Sequence, residues 1–478
     1  MALWVMILAG CAVGPDFQRP EAPTALAVLP ASEPLSTPLI AFDNAPVDPR
    51  WWTSFQNPTL DALVTESLRD SPTFAAARET LAQAQDALRA GAGVYFPTVS
   101  ADLGAVRERY APVKVGQSAP SNVFNVYTAS GAVGYLLDLF GGSRRAVEGL
   151  QAAADAQRFG VGIAYLSLTG NVVNTAIARS SYRAQTTTLR AMLHGAETVL
   201  ALREAQLKSG VGADADVLSS EASVAGLKGA LAIMQLHAEQ ADHLQAALLG
   251  RLPVTADLVD IDLHALGLPA SMPTVLPSTL VRQRPDVLVA EARLHQASAE
   301  IGVATANLFP SITLSGNVGA AADRWSALGG ASGRFWSAGA DLSVPLFQGG
   351  KLWFGRKAAI DAFGVAQHNY RQVVLLAFQQ VADVLQSVSR DSEALMASER
   401  ALGDAQGVYA ITKANHAAGL ADGTTLMAAE IARGSAQLAR DGAYAVVLQD
   451  AVALYVALGG GWVPGVGEST PDLTDGGR

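Results

Sequence analysis

PTFAAARETLAQAQDALRAGAGVYFP (Pro72–Pro97) aligns without a gap onto PDVLVAEARLHQASAEIGVATANLFP (Pro285–Pro310), an offset of 213 positions. Pro72/Pro285, Ala77/Ala290, Leu81/Leu294, Gln83/Gln296, Ala84/Ala297, Phe96/Phe309 and Pro97/Pro310 coincide. Further on, Leu139-Phe140 matches Leu346-Phe347, each followed by glycine and a basic residue (Gly142-Ser143-Arg144; Gly349-Gly350-Lys351). Gly210/Gly419, Glu221/Glu430 and Leu249-Gly250/Leu458-Gly459 then recur at an offset of 209. Similar landmarks in the same order, twice, predict an internally duplicated chain. Alanine-rich helices would not reproduce the Phe-Pro and Leu-Phe punctuation by chance.

Proline placement divides each repeat. None lies between Pro120 and Pro253, or between Pro345 and Pro464, and proline breaks a helix interior, so these gaps leave room for long helices. Inside them the apolar spacing is close to heptad. Val374, Phe378, Val381, Leu385 and Val388 step by four and three, and Leu395, Leu402 and Tyr409 continue every seventh residue. Leu189, Leu193, Ala196 and Leu200, and then Leu227, Leu231 and Met234, do the same in the first repeat. A sustained seven-residue pattern predicts coiled-coil packing. A helix from about Arg144 to Ser209 would be ~100 Å long, and abundant alanine lets neighbouring helices approach closely.

Between the Phe-Pro and Leu-Phe landmarks the period changes to two. Ile312, Leu314, Val318 and Ala320 oppose Thr313, Ser315 and Asn317, and on the return Trp336, Ala338, Ala340, Leu342 and Val344 oppose Ser337, Gly339, Asp341 and Ser343. Val99, Ala101, Leu103 and Ala105 oppose Ser100, Asp102 and Gly104, while Val123 to Leu137 alternates less cleanly. Alternation suits either a membrane barrel with a wet lumen or a soluble hairpin with one face on a core; aromatics near the strand ends (Phe124, Tyr135, Phe335, Trp336, Phe347) favour the membrane. Two hairpins make four strands, too few to close a barrel. Lipid does not tolerate open edges, so several chains must share one sheet; three would contribute twelve strands.

Half the residues are hydrophobic and mean hydropathy is +0.23, yet no run of about 18 consecutive apolar residues occurs, so no membrane-spanning helix is expected. Net charge of −10 disfavours nucleic-acid binding. The lone cysteine excludes an intrachain disulfide and a Cys-built zinc site. It follows an apolar run in Leu8-Ala9-Gly10-Cys11, which resembles a bacterial lipobox with Cys11 as the lipidated residue; Ala12 after it suits outer-membrane sorting. Departing from the usual signal, no Lys or Arg precedes the run. The seven histidines lack ligand spacing. Gly349-Gly350-Lys351 has Pro345 where a phosphate loop needs glycine and Leu352 where it needs Ser/Thr. Neither a Gly-x-Ser-x-Gly elbow nor a Gly-x-Gly-x-x-Gly fingerprint occurs. No enzyme activity, cofactor or metal is expected, and Trp51-Trp52 suits packing better than a sugar platform.

Taken in order, Cys11-Ala12-Val13-Gly14-Pro15-Asp16-Phe17, Trp51-Trp52 with Phe55 and Pro58-Thr59-Leu60, Arg284-Pro285-Asp286-Val287 with Ala290 to Leu294, and Phe309-Pro310-Ser311 resemble the outer membrane factor family. The likeness is to its TolC/OprM-like lipoprotein branch, which serves resistance-nodulation-division efflux systems. The resemblance implies a mainly α chain whose four strands join a shared 12-stranded membrane β-barrel, above a coiled-coil α-helical periplasmic barrel. It implies a homotrimer in the outer membrane, working with a periplasmic adaptor (membrane fusion) protein and an inner-membrane pump and passively conducting small molecules. Type I protein export and metal efflux use the same duct, and a coiled-coil spacer lipoprotein is the non-channel alternative.

The expected organisation is a signal peptide (1–10), a lipidated arm (11–50), a first repeat (51–252; helices about 58–96 and 144–250, strands about 98–138), and a Pro-rich linker (253–284). A second repeat (285–460; helices about 286–309 and 351–458, strands about 311–346) and a disordered tail (461–478) follow. The resemblance places the turns Ser209–Asp216 and Gly419–Thr424 at the periplasmic tip. Gly210, Gly212, Gly419 and Gly423 are candidate adaptor contacts, and Asp422 and Asp216 candidate acidic groups at the aperture. Asp422 equally suits a helix cap, and the aromatic that some relatives carry after it is absent.

Overall fold

The computed structural model describes residues 12–21, 41–43, 47–111, 116, 118, 120–255, 257–273 and 282–465. The predicted signal peptide, Cys11, most of the arm and most of the tail lie outside them. In chain order the elements are β1 (Ala41–Asp43), α1 (Pro58–Asp70), α2 (Pro72–Gly91), β2 (Thr98–Tyr110), β3 (Asn122–Leu137), α3 (Gly142–Lys208) and α4 (Asp214–Leu248). Then come β4 (Ser271–Pro273), α5 (Pro285–Ala306), β5 (Ser311–Ala322), β6 (Arg334–Ser343), α6 (Lys351–Ala417) and α7 (Gly423–Ala457). The order helix, hairpin, 67-residue helix, 35-residue helix occurs twice.

Two expectations need correction. The helix expected over 58–96 is two helices, because Pro72 has no amide to continue the ladder and Ser71 before it is extended (φ −68°, ψ 121°). By length and composition α3 and α4 each hold a stretch apolar enough to cross a membrane; alanine and leucine raise the average although polar residues interrupt every run. In α3 most of that stretch is buried in protein.

The chain forms two compact units. The first comprises 1–19, 82–156 and 290–370 and holds a four-stranded antiparallel sheet, order β2-β3-β5-β6. Two hairpins are joined by β3–β5 pairing, in which Leu137 faces Ile312 and Tyr127 faces Ala322. The N-terminal arm docks in this unit. Val13 N donates to Phe140 O (2.9 Å), Asp16 pairs with the buried Arg145 (2.6 Å), and Phe17 stacks on His295 at 4.4 Å. A Cβ on Gly302 would strike the Arg145 side chain, so glycine there admits the clamp.

The second unit comprises 20–81, 157–289 and 371–478. Asn57 caps α1, its side chain accepting from the amides of Thr59 (3.0 Å) and Leu60 (3.1 Å), with Pro58 at the first helical position. Trp51, Trp52 and Phe55 are buried: Trp51 stacks on Tyr455 at 5.4 Å, and Trp52 Nε1 donates to Asp61 (2.8 Å). On α6 the seam Val374, Val381, Val388, Leu395 is buried, as its heptad spacing requires. Helices α3 and α7 run antiparallel at close approach. A Cβ on Gly162 would lie 2.7 Å from the Trp462 ring, one on Gly170 3.1 Å from Val456, and one on Gly195 3.5 Å from Met427. Buried Arg179 ties α3 to Asp242 of α4 and to Asp260, with Arg183 on the same two carboxylates. Arg284 binds Asp286 (2.6 Å), Gln380 (2.8 Å) and the Ala457 carbonyl (2.8 Å).

Two expected outcomes follow from this packing. Gly162→Val, which forces the Trp462 ring aside, is expected to destabilise the helical body by about 1–3 kcal/mol, readable as a lower unfolding midpoint; an unchanged midpoint would contradict the close approach. Burial, with the Asp391 carboxyl beside it, pushes the Asp450 carboxyl up to about 7 from its ordinary 3.8. The folded chain therefore holds this proton where the unfolded chain has lost it, so this contribution to stability is complete below about pH 3.8 and is lost as pH rises toward 7. Thermal melts between pH 4 and 8 should lose this slope in Asp450→Asn.

Candidate functional site

Strand register decides what each face of the sheet presents, because paired residues share a face. One face carries Val99, Ala101, Leu103 and Ala105 of β2, opposite Val133, Gly131, Ala129 and Tyr127 of β3. It continues through Leu314, Gly316 and Val318 of β5 to Ala340, Ala338 and Trp336 of β6. The other carries Ser100, Asp102, Gly104, Thr128, Ser130, Thr313, Ser315, Asn317, Ser337, Gly339 and Asp341, interrupted by Val106, Phe124, Val126, Leu136 and Phe335. The apolar face is open: Val99 is 79% exposed, Leu103 78% and Trp336 79%. An apolar surface of this extent in contact with water marks an interaction site. β2 and β6 each leave an unpaired edge among the described residues.

The hairpin turns of the helical unit are built from their backbone. After α3, Gly210 takes φ +79° and donates to the Leu207 carbonyl, while Val211 and Gly212 both donate to Gln206 O at 3.1 Å. This satisfies carbonyls that the helix end leaves open. A Cβ on Gly212 would sit 2.7 Å from the Leu207 nitrogen, so only glycine fits. After α6, Gly419 takes φ +77° and donates to His416 O, and Leu420 donates to Asn415 O at 2.8 Å. Gly210 and Gly419 border open space, whereas a Cβ on Gly423 would touch Leu202 of α3.

Asp422 is the N-cap of α7. Its Oδ1 accepts from the Thr425 amide (2.7 Å) and the Thr424 hydroxyl (3.0 Å). Hydrogen bonds from Thr425 and Thr424, assisted by the charge of Arg203, hold its carboxyl down at about 2. Asp216, in the first turn of α4, pairs with Arg203 at 3.7 Å. Arg203 thus pairs with one predicted aspartate and reaches the other only through its charge. Arg203 was not singled out from sequence; its partners lie on separate helices, and no local spacing marks it. Cys11 lies outside the described residues.

An exposed apolar sheet face backed by a mostly polar one, combined with long paired helices, defines an outer-membrane channel component with a helical body. A family model for outer membrane efflux proteins matches residues 63–251 and 276–460. The chain is 29% identical over 479 residues to the toluene efflux pump outer membrane protein TtgC of Pseudomonas putida, covering 98% of this chain and 96% of that one. It is 29% identical over 425 residues to the pyoverdine export outer membrane protein OpmQ of Pseudomonas aeruginosa (86% and 87% covered). The fold superposes on the outer-membrane channel OprN with TM-score 0.83 and 30% identity, over 94% of this chain and 99% of that one. The chain belongs to the outer membrane efflux protein family.

Asp422→Ala, which removes both acceptor bonds, is expected to fray the first turn of α7. Hydrogen exchange at the Thr425 amide should then accelerate; unchanged protection would remove the cap.

Proposed function

We propose that three copies of this chain close a twelve-stranded barrel and form the outer-membrane exit duct of a tripartite efflux pump. The observation that carries this reading is the two-faced sheet with two unpaired edges. In hydrocarbon an unpaired amide or carbonyl costs several kcal/mol, and only β6 of one copy against β2 of the next removes both edges without adding a strand. The mostly polar face then lines water. The apolar stretch of α4, almost wholly exposed in the single chain, gains a cover from a neighbouring copy. The recurring order of elements supports an origin by duplication, with repeats over 51–252 and 285–460. Lipidation at Cys11 suits the arm, which docks from Val13 onward beside Phe140 at the foot of the sheet.

Substrates are small organic molecules, delivered by an inner-membrane pump through a periplasmic adaptor. Relatives named for toluene efflux and pyoverdine export support this over protein or metal export. The turns at Gly210, Gly212, Gly419 and Gly423 meet the adaptor, and Asp216, paired with Arg203, and Asp422 set the aperture. Three copies of such a cluster around a narrow axis would make the gate sensitive to charge.

Trimer mass in detergent is the decisive measurement; a stable single subunit would end the duct reading. Arg203→Ala, which removes the ion pair to Asp216 and the positive charge near Asp422, is expected to raise the single-channel conductance of the purified protein in planar bilayers. Unaltered conductance would take the gate away from these residues.

A further inference from the structure

Six charged residues lie in the four sheet strands, and register sorts them by sign. Arg107 and Arg109 of β2 and Arg334 of β6 share the apolar face; Asp102, Glu108 and Asp341 share the other. All three arginines sit at the end of the sheet remote from the helices. They are exposed, and Arg107 and Arg334 have no hydrogen-bond or ion-pair partner among the described residues. Arg109 Nε donates to Ser121 at 3.0 Å. The nearest acid in sequence, Glu108, points to the opposite face. Asp323 is already paired with Arg324 at 3.2 Å.

Such cations are costly inside hydrocarbon and are tolerated at its boundary. Arg107 lies eight residues beyond Val99, and Arg334 eight before Leu342, ~27 Å along a strand in each case. With the usual barrel tilt of ~40° this run rises ~21 Å, most of the height of an apolar band ~25 Å tall. Aromatics mark the same level. Trp336 is two residues from Arg334, and Tyr127, the partner of Ala105, packs on Trp325 at 4.9 Å. Tyr and Trp favour the headgroup layer. If β6 of one copy pairs with β2 of the next, as the proposed trimer requires, Arg334 arrives beside Arg107 and Arg109 with no acid between them on that face.

We propose that these arginines form a binding site for the phosphate groups of an anionic membrane glycolipid in the outward-facing leaflet, one site at each seam between copies. The guanidinium fork suits phosphate bidentately, and the apolar face below it accepts the acyl chains. The site rests on the trimeric barrel reading, so the mass of the purified protein is read first on the same sample.

Detergent-solubilised protein is titrated with diphosphorylated lipid A, with phosphatidylcholine and with inorganic phosphate, and bound lipid is counted by native mass spectrometry. The trimer should retain lipid A in preference to phosphatidylcholine, and inorganic phosphate at equal phosphate concentration should not displace it. Each of Arg107→Gln, Arg109→Gln and Arg334→Gln should weaken retention about fivefold, the ~1 kcal/mol that one basic side chain contributes near an anionic membrane surface. Lysine replacements, which keep the charge but lose the bidentate fork, should retain it better than the glutamines but below wild type, and Asp102→Asn on the opposite face should leave it unchanged. Should any one glutamine variant fail to assemble, the other two decide. A wild-type trimer indifferent to lipid A, glutamine variants that hold it equally well, or displacement by inorganic phosphate would each overturn the site while leaving the duct intact. A wild-type monomer would overturn the duct itself.

Discussion

A backbone amide without a partner is stable in water and intolerable in lipid, and the rest of this structure depends on that asymmetry. The sheet exposes large apolar side chains on one face, so water is a poor solvent for it. Its edges at β2 and β6 are unpaired among the described residues, so lipid is no better until those edges are paired. Neither environment suits a single copy, and the association proposed above would resolve both conflicts together. The pleat then makes lining and wall inseparable, since each residue turned to lipid obliges its neighbours to face the other way.

Away from the sheet, buried arginines fix the connecting segments. Arg145 holds the arm, Arg179 gathers Asp242 and Asp260, and Arg284 joins Asp286, Gln380 and the Ala457 carbonyl. Each guanidinium has several acceptors, which is what burial of a charge demands: a buried cation stripped of one partner costs far more than an exposed pair contributes. These clamps act where the chain has no regular structure of its own to hold it. Along most of their length the long helices are aligned instead by close-packed glycine and heptad seams.

At the tips one side chain serves two ends. Asp422 closes the amide ladder at the start of α7, a local duty, and that duty keeps it ionised at any physiological pH. The same permanent charge then feels that of Arg203, which pairs with Asp216. Helix capping and electrostatic coupling between the two hairpins therefore draw on one carboxylate, and neither role excludes the other.

Local periodicity made much of this legible in sequence. The seam Val374, Val381, Val388, Leu395, the alternation from Ile312 to Ala320 and the glycines at 210 and 419 each report how a side chain stands relative to its own backbone, which a few neighbouring residues suffice to specify. Trp51 and Trp52 were likewise readable as packing residues. The partners were not readable: Tyr135 beside Leu314, Gly162 beneath Trp462, Arg179 with Asp260, and Arg203 with Asp216 unite positions whose spacing follows no period. Composition could not foresee that Asp450 would be half-buried beside Asp391, nor that the sheet arginines and acids would part onto opposite faces. A repeating pattern determines which surface an element offers; which surfaces meet is decided only when the whole chain is packed, because burial and pairing are properties of the assembled neighbours and not of any one segment.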